Sequence, residues 1–253
     1  MAALNRLYLF TLMFVSFLLF SFQSFAQDQA CTDTLTVSAP SDWPPYSMKT
    51  QSGYVGLDIE IVKMVLTEAN LCWNFISYPS SPRVMAELER ESLDLAFAAS
   101  ITPERESIAA FSRSYRPEFM SLFTHKNNTK LFSLYSTSTV VINRGAYYGS
   151  NFEIFRRRCP ECVVEVSSGA QRVSLLRTER VDFALLDELT GKEVIKQNEL
   201  SEQIIATNYV INKNDVHYMV RKSLNSEYLD AINQAIVKSE DKINALVKKY
   251  RGN

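Results

Sequence analysis

The sequence predicts an α/β fold of two lobes, each a mostly parallel sheet flanked by helices, joined by a two-segment hinge. Three observations predict this fold class. Strand and helix patterns alternate in the first part of the chain, the same alternation starts again near residue 138, and the C-terminal tail adds one more strand followed by helical sequence. Because alternation of strands and helices is typical of parallel sheets, we expect one such sheet in each half.

The first residues are set apart by their apolar character. Leu7 to Phe22 is almost wholly apolar and follows one basic residue, Arg6. Small residues at Ser24 and Ala26 fit signal peptidase, so we predict a signal peptide over residues 1–26 that is cleaved after Ala26. An uncleaved anchor is the alternative, although the apolar run is short for a membrane span. We therefore expect a soluble, exported chain.

The first lobe is predicted to contain a βαβαβ unit. Short apolar or alternating runs indicate strands, and longer amphipathic runs indicate helices. In chain order the elements are a strand at Thr34 to Ala39, a helix at Leu57 to Ala69, a strand at Trp73 to Tyr78, a helix at Pro82 to Glu91 and a strand at Leu93 to Ala99. Proline at the first helical position favours the start of the second helix.

The second lobe repeats this plan without obvious sequence identity. Its elements are a strand at Thr139 to Ile142, a helix at Asn151 to Arg158, a strand at Cys162 to Val166, a helix at Gln171 to Glu179 and a strand at Val181 to Leu186. The last strand is apolar on both faces, which is typical of the middle of a parallel sheet.

The chain is expected to return to the first lobe at its C-terminal end. Residues 216–222 form a strand pattern, and Ser226 to Tyr250 is helical in pattern. The two crossings, near Pro117 to His125 and Ile211 to His217, would form a hinge that permits closure over a ligand. The expected division is residues 27–117 for the first part of lobe 1, 118–215 for lobe 2 and 216–253 for the segment returning to lobe 1.

Four cysteines in an exported chain favour disulfides, and three pairings are open. We favour Cys31 with Cys72, because each lies at the start of a predicted strand and such starts are adjacent in a parallel sheet. Cys159 and Cys162 are then expected to form a structural disulfide in a loop. The alternative, a redox centre, requires its first thiol at a helix N-terminus, where its pKa is lowered, but a strand follows here. A zinc site is not expected, because there is one Cys-x-x-Cys pair and two isolated histidines.

The segment from residue 94 to 105 carries the strongest site signal. An apolar strand pattern runs directly into Ser100 and Thr102, which read as a loop capping the next helix. Arg105 then stands in the first turn of that helix, where its guanidinium can bind a carboxylate in two parallel bonds. Ligands bind at such strand ends. The alternative is that Arg105 pairs with Glu104 or another surface carboxylate.

Other segments share this placement at strand ends or helix starts. They are residues 42–46 with Asp42, Trp43 and Tyr46, residues 53–60, residues 144–149 with Ala146, Tyr147 and Tyr148, and residues 185–188 with Asp187. The two aromatic rings of the first segment are held by two prolines and suit ligand contact, with packing at a sheet edge as the alternative. One of Tyr147 and Tyr148 is expected to face the cleft.

Together these segments resemble the family 3 extracellular solute-binding proteins, the periplasmic receptors for polar amino acids that feed ABC importers. The resemblance covers nearly the whole mature chain and implies the two-lobed periplasmic-binding-protein fold. It implies that Arg105 binds the ligand α-carboxylate and that Ser100 and Asp187 hold the ammonium. The other expected ligand contacts are Asp42, Trp43, Tyr46, Ala98, Thr102, Ala146 and Tyr147.

Departures from the family pattern affect the expected specificity. Ala146 stands where many amino-acid receptors of this family carry a hydroxyl residue that grips the carboxylate, and Tyr147 adds aromatic bulk. Phe97 and Ala98 stand where polar residues are common. The pocket is therefore expected to be less polar than that of a typical basic-amino-acid receptor.

The leading functional hypothesis is a monomeric periplasmic binding protein, without enzymatic activity, cofactor or metal, that delivers an amino acid or similar zwitterion to the permease of an ABC importer. A net charge of −1 argues against nucleic acid as a partner. One alternative is a dehydratase-like enzyme on the same fold, with Glu118 or Asp42 as general acid or base. The other is a soluble sensor for a membrane signalling receptor.

Overall fold

The computed structural model describes residue 31, residues 33–224 and residues 226–252. The strands are β1 (Thr34–Ser38), β2 (Asp42–Trp43), β3 (Ser47–Thr50), β4 (Gly53–Val55), β5 (Cys72–Ile76), β6 (Leu95–Ala99), β7 (Ala109–His125), β8 (Val140–Asn143), β9 (Val163–Val166), β10 (Phe183–Asp187) and β11 (Ile204–Arg221). The α-helices are α1 (Leu57–Glu68), α2 (Ser81–Glu89), α3 (Pro103–Ile108), α4 (Ser150–Arg158), α5 (Gly169–Arg177), α6 (Glu188–Gln197), α7 (Ser226–Lys238) and α8 (Glu240–Arg251).

An eight-stranded sheet has the order β5-β1-β6-β11-β7-β10-β8-β9. At one end β1 pairs in parallel with β5 and β6, and at the other end β8 pairs in parallel with β9 and β10. Between these parallel sets, β7 and β11 run antiparallel to each other and to their outer neighbours. Each lobe is thus a mostly parallel sheet, and the two lobes are joined through β7 and β11, which confirms the predicted fold class.

The two connecting strands are longer than the sequence suggested. β7 has 17 residues and β11 has 18, and they pair from His125 opposite Ile204 to Ala109 opposite Arg221, with several register shifts. The predicted crossings and the predicted strand at residues 216–222 are parts of these two elements. The physical reason is that β7 and β11 pair with each other along most of their length, while β11 also pairs with β6 and β7 with β10, so the extended conformation continues through the hinge.

The buried apolar side chains fall into two sets. Those packed around α1, α7 and the ends of β1 and β6 lie at positions up to 115 and from 216 onward. Those packed around α4, α5, β8 and β10 lie between positions 122 and 204. This separation supports the division near residues 117 and 215, which stays our proposal for the lobe boundaries.

Both favoured cysteine pairings are confirmed. Cys31 is bonded to Cys72 with 5.5 Å between Cα atoms, and Thr34 of β1 lies opposite Cys72 of β5 in the parallel ladder. Closing a loop across 41 positions stabilises the fold by about 4 kcal/mol in the chain-entropy model. Cys159 and Cys162 are bonded across a short 3₁₀ turn between α4 and β9, with 5.3 Å between Cα atoms.

Two features were absent from the sequence predictions. One is a small antiparallel sheet, β2-β3-β4, whose strands have only two to four residues. The other is α6, which starts directly after β10.

The predicted signal peptide and its cleavage after Ala26 lie outside the described residues. Within the described part of the chain, no helix has both the length and the apolar character that crossing a membrane requires.

Candidate ligand-binding site

A cavity of about 220 Å³ lies where the carboxyl ends of strands from both lobes meet. Its walls come from the end of β6, from α3, from the turn after β8, from the start of α5 and from the end of β10. Eight of the ten predicted ligand contacts line it: Asp42, Trp43, Ala98, Ser100, Arg105, Ala146, Tyr147 and Asp187. The fold therefore brings together residues that are up to 145 positions apart in the sequence.

Arg105 is held in place by the start of α3. The Thr102 hydroxyl caps this helix by accepting the Arg105 N–H at 3.3 Å, so Thr102 lies behind the cavity wall and does not line it. The guanidinium Nη1 donates to the carbonyl of Ser100 at 2.9 Å, and Nη2 points to the carbonyl of Gly145 in the second lobe at 3.5 Å. None of the ion pairs among the described residues includes Arg105, so the predicted alternative of a bond to Glu104 is not formed.

Asp187 ends β10 and is the N-cap of α6. Its Oδ1 atom accepts the N–H groups of Leu189 at 2.9 Å and Thr190 at 3.2 Å, as N-cap carboxylates do. The same atom accepts the Tyr46 hydroxyl at 2.7 Å, and no described hydrogen bond uses Oδ2. Burial raises the pKa of this carboxyl above its ordinary value, although the charge of Arg116 opposes that shift.

Tyr46 is the second predicted contact that does not line the cavity. It is buried behind Trp43, and the two ring centroids are 4.6 Å apart. The predicted alternative of packing therefore describes the ring of Tyr46, while its hydroxyl reaches Asp187. Tyr46 therefore contacts a residue of the cavity wall, Asp187, without lining the cavity itself.

Ala98 bends the end of β6. Its φ of 55° lies in the left-handed region, and its N–H donates to the Tyr115 hydroxyl at 3.0 Å rather than to a neighbouring strand. This conformation costs a non-glycine residue roughly 1–2 kcal/mol, and such strain concentrates at functional sites. The adjacent Ser100 lies close to Asn214 of β11, with 3.4 Å between its Oγ and the amide Nδ2.

Both tyrosines of the second-lobe turn reach the cavity, although one was expected. Tyr148 is buried in the core of lobe 2, and its hydroxyl accepts the N–H of Asn143 at 2.9 Å. Tyr147 is half-buried beside Ala146. Tyr147 and Tyr148 therefore both contribute to the aromatic wall that the sequence predicted for this turn.

Two buried charged residues of the cavity were missed or given another role. Glu118 on β7, which the sequence suggested only as an enzymatic acid or base, is buried and lines the cavity 4.0 Å from Arg116. Burial raises its pKa to about 8, against the opposing charge of Arg116. Arg172, in the first turn of α5, is 5% exposed and was not predicted. The available signal was its place after Ser167-Ser168-Gly169, at the end of a strand.

A buried ion pair lies behind the cavity and explains the segment at the start of α1. Arg116 donates through Nε to Oδ1 and through Nη2 to Oδ2 of Asp58, both at 2.6 Å, and its guanidinium lies 4.2 Å from the ring centroid of Tyr46. Gly56, with φ of 126°, allows the chain to pass so close that an added Cβ would lie 2.5 Å from the carbonyl oxygen of Tyr46. These residues position Tyr46 and do not line the cavity.

The two-lobed fold, with a cavity between its strand ends, is the periplasmic-binding-protein fold. A family model described as bacterial extracellular solute-binding proteins, family 3, matches residues 35–253, and the chain belongs to this family. The resemblance stated from the sequence is thereby confirmed.

Solved structures of similar proteins show the same fold at low sequence identity. An ancestral arginine-binding protein bound to glutamine has a TM-score of 0.74 at 22% identity, covering 87% of this chain and 98% of its own. The arginine-, lysine-, histidine-binding protein ArtJ from Geobacillus stearothermophilus has a TM-score of 0.75 at 17% identity, covering 87% and 96%. A histidine kinase sensor domain has a TM-score of 0.76 at 18% identity, covering 86% and 95%. A search of curated protein sequences finds no significant match.

Proposed function

We propose that this protein is a periplasmic solute-binding protein that captures an amino acid or similar small zwitterion and delivers it to the permease of an ABC importer. One observation carries the proposal: Arg105, which has no described carboxylate partner, and Asp187 line the same cavity from the two lobes. A zwitterion carries the two complementary charges. The similar structures named for amino-acid binding support this class of ligand.

Each charge has an assigned partner in this proposal. Arg105 binds the α-carboxylate through the guanidinium donors that now contact Ser100 and Gly145 carbonyls. Asp187 binds the ammonium through Oδ2. A pair of charges 4 Å apart at an effective dielectric near 20 is attracted by about 4 kcal/mol before desolvation. Micromolar affinity requires about 8 kcal/mol, so both pairs are needed.

Hinge closure is the motion that completes this site. The described state already has contacts across the proposed cleft, from Tyr46 to Asp187 and from Arg105 to Gly145. A bound ammonium would compete with the Tyr46 hydroxyl for the Asp187 carboxylate. Opening and closing would bend β7 and β11, the two strands shared by the lobes.

The test is a ligand screen by thermal shift and calorimetry against amino acids, small peptides, polyamines and organic acids. A ligand at a hundred times its Kd stabilises the fold by about 2.7 kcal/mol, which raises the Tm by a few degrees. Arg105→Ala should abolish this shift, while the exposed Arg113→Ala should keep it. Asp187→Asn should lose at least about 1.5–3 kcal/mol of affinity for ligands with an ammonium group. An Arg105→Ala protein that binds normally would contradict the carboxylate assignment.

Two alternatives remain distinguishable by what happens to the ligand. Glu118, buried at the cavity with its pKa raised to about 8, has the protonation behaviour of a general acid or base. NMR of the recovered ligand should show it unchanged, and a converted ligand would favour the dehydratase-like enzyme.

Similarity to a sensor domain favours the soluble-sensor alternative. Deletion of the gene should abolish ligand uptake, whereas intact uptake with a lost transcriptional response would favour a sensor.

A further inference from the structure

Arg172 is a buried cation without a carboxylate partner. It is 5% exposed and lines the cavity, yet none of the ion pairs found in residues 33–224 and 226–252 includes it. Its Nη1 donates to the carbonyl of Leu185 at 2.9 Å, and its Nε to the carbonyl of Ser168 at 3.4 Å. Buried charges are normally paired, because an uncompensated charge in the interior is costly.

The start of α5 adds to the positive potential around Arg172. Ser167, Ser168 and Gly169 line the cavity at the N-terminus of this nine-residue helix. The first N–H groups of a helix have no acceptor within the helix, and together with the helix dipole they favour an anion. The guanidinium and this helix start therefore face the same cavity and select for the same charge.

No described carboxylate of the cavity forms an ion pair with Arg172, and burial lowers the pKa of its guanidinium although Tyr148, Asp187 and Glu118 partly oppose that shift. Asp187 lies farther than 4.0 Å from Arg172, and its Oδ1 is already bonded to Tyr46, Leu189 and Thr190. Burial raises the pKa of Glu118 to about 8, so this carboxyl is mostly protonated at neutral pH. Three arginines, Arg105, Arg144 and Arg172, thus line the cavity without an ion pair among the described residues, and Arg172 is the one of these three that is buried while Arg144 is exposed.

We infer that the ligand carries a second carboxylate, which binds Arg172 and the N-terminus of α5, so that the ligand class is an acidic amino acid. The inference rests on the proposed function for the α-carboxylate and ammonium, and it adds a separate subsite in lobe 2. A guanidinium binds a carboxylate in two parallel charge-assisted bonds. A neutral side chain leaves Arg172 without a counter-charge, and a basic one is repelled by it.

Calorimetry of the unmodified protein tests this inference with ligand pairs of equal size. Glutamate should bind about tenfold or more tightly than glutamine, and aspartate than asparagine, because a charge-assisted bond replaces a neutral one. Glutarate, which lacks the ammonium, should bind more weakly than glutamate. Amides or basic amino acids that bind as tightly as the acidic ones would overturn the inference while leaving the proposed function standing. Absence of binding by every amino acid would instead overturn the proposed function.

Variants of α5 locate the preference on one side chain. Arg172→Met should reduce the glutamate-to-glutamine ratio to about threefold or less, because the charged contact is lost. Arg177→Met, on an exposed position of the same helix, should keep the full ratio. Arg172→Lys keeps the charge and should retain part of the ratio, which preserves the test if the Met variant does not fold. A full ratio in Arg172→Met would overturn the inference.

Discussion

Two buried arginines of this protein have opposite surroundings. Arg116, at the hinge, makes a two-bond ion pair with Asp58, both bonds 2.6 Å long, and lies over the ring of Tyr46. Arg172, in lobe 2, donates to the carbonyl oxygens of Ser168 and Leu185 and forms no ion pair among the described residues. Burial disfavours both charges, but Asp58 raises the pKa of Arg116 well above its ordinary value, whereas the pKa of Arg172 is lowered.

This difference distinguishes an arginine whose charge is paired within the protein from one whose charge we infer to be paired by a ligand. The Asp58–Arg116 pair is complete within the chain, and it holds α1 against β7 behind the cavity. Arg172 has comparable burial but lines the cavity, where a ligand can supply the missing charge. Burial alone therefore does not mark an arginine for ligand binding; our inference for Arg172 rests on burial together with a cavity position and the absence of a described ion pair.

The largest effect is expected from breaking the complete pair. Asp58→Asn should lower the free energy of unfolding by about 3–5 kcal/mol, because it leaves the Arg116 charge buried without its partner. Denaturant unfolding monitored by circular dichroism measures this. The matched control is Asp230→Asn at an exposed position of α7, which should stay within about 0.5 kcal/mol of the unmodified protein. A decrease in the free energy of unfolding below about 1 kcal/mol for Asp58→Asn would contradict the structural role of the pair, because exposed substitutions alone change this free energy by up to about 0.5 kcal/mol.

The next effect concerns Glu118, which lies near Arg116 and also lines the cavity. Its pKa is raised from 4.5 to about 8 by burial, so the folded protein keeps the proton that the unfolded chain releases. Its contribution to stability is therefore present below pH 4.5 and is lost as the pH rises to about 8. The loss is at most about 1.4 kcal/mol per pH unit.

Glu118→Gln removes this titration and should flatten the stability profile between those two pH values. The measurement is the free energy of unfolding of both proteins at several pH values between 4.5 and about 8. The difference between the two proteins at each pH is compared, because the other carboxyl groups titrate in both. Parallel profiles for the two proteins would show that Glu118 does not hold a raised pKa in solution.

The smallest effect is expected from breaking the hydrogen bond between Tyr46, which packs on Arg116, and Asp187 of the cavity wall. Tyr46→Phe removes the 2.7 Å bond to Asp187 while keeping the ring under Arg116, and should cost about 0.5–1.5 kcal/mol of stability. Tyr228→Phe is the matched control, because its hydroxyl also donates to an aspartate, Asp33, but at an exposed site. Thermal unfolding of both variants should show the larger decrease for Tyr46→Phe. Equal decreases would mean that the cross-cleft bond contributes no more than a surface one.

The sequence predicted those features whose cause is local. Apolar periodicity located the strands and helices of both lobes to within a few residues, since the side-chain pattern of an element reflects which face it buries. Arg105 was found because a strand, a capping residue and a helix start follow one another within eleven residues, 95–105. The pairing of Cys31 with Cys72 followed from the same logic, because strand starts are adjacent in a parallel sheet.

The elements missed by the sequence depend on neighbours that are distant along the chain. β2, β3 and β4 are too short to carry a period, and each is an extended segment only because the others pair with it. The full lengths of β7 and β11 likewise depend on their mutual pairing, which joins residues between 79 (Ile204 with His125) and 112 (Arg221 with Ala109) positions apart. A pattern within either strand does not contain that information.

By itself the sequence predicted the two-lobed α/β plan, the favoured disulfide pairing and the place of Arg105 at a strand end, while the carboxylate-binding role of Arg105 stays a prediction. Only the tertiary structure decided which charges are paired: Arg116 with Asp58 across 58 positions, Asp187 with the Tyr46 hydroxyl across 141, and Arg172 with no carboxylate. The physical reason is that periodicity and capping act through neighbouring residues, whereas burial, charge pairing and pKa are set by groups that meet only after folding.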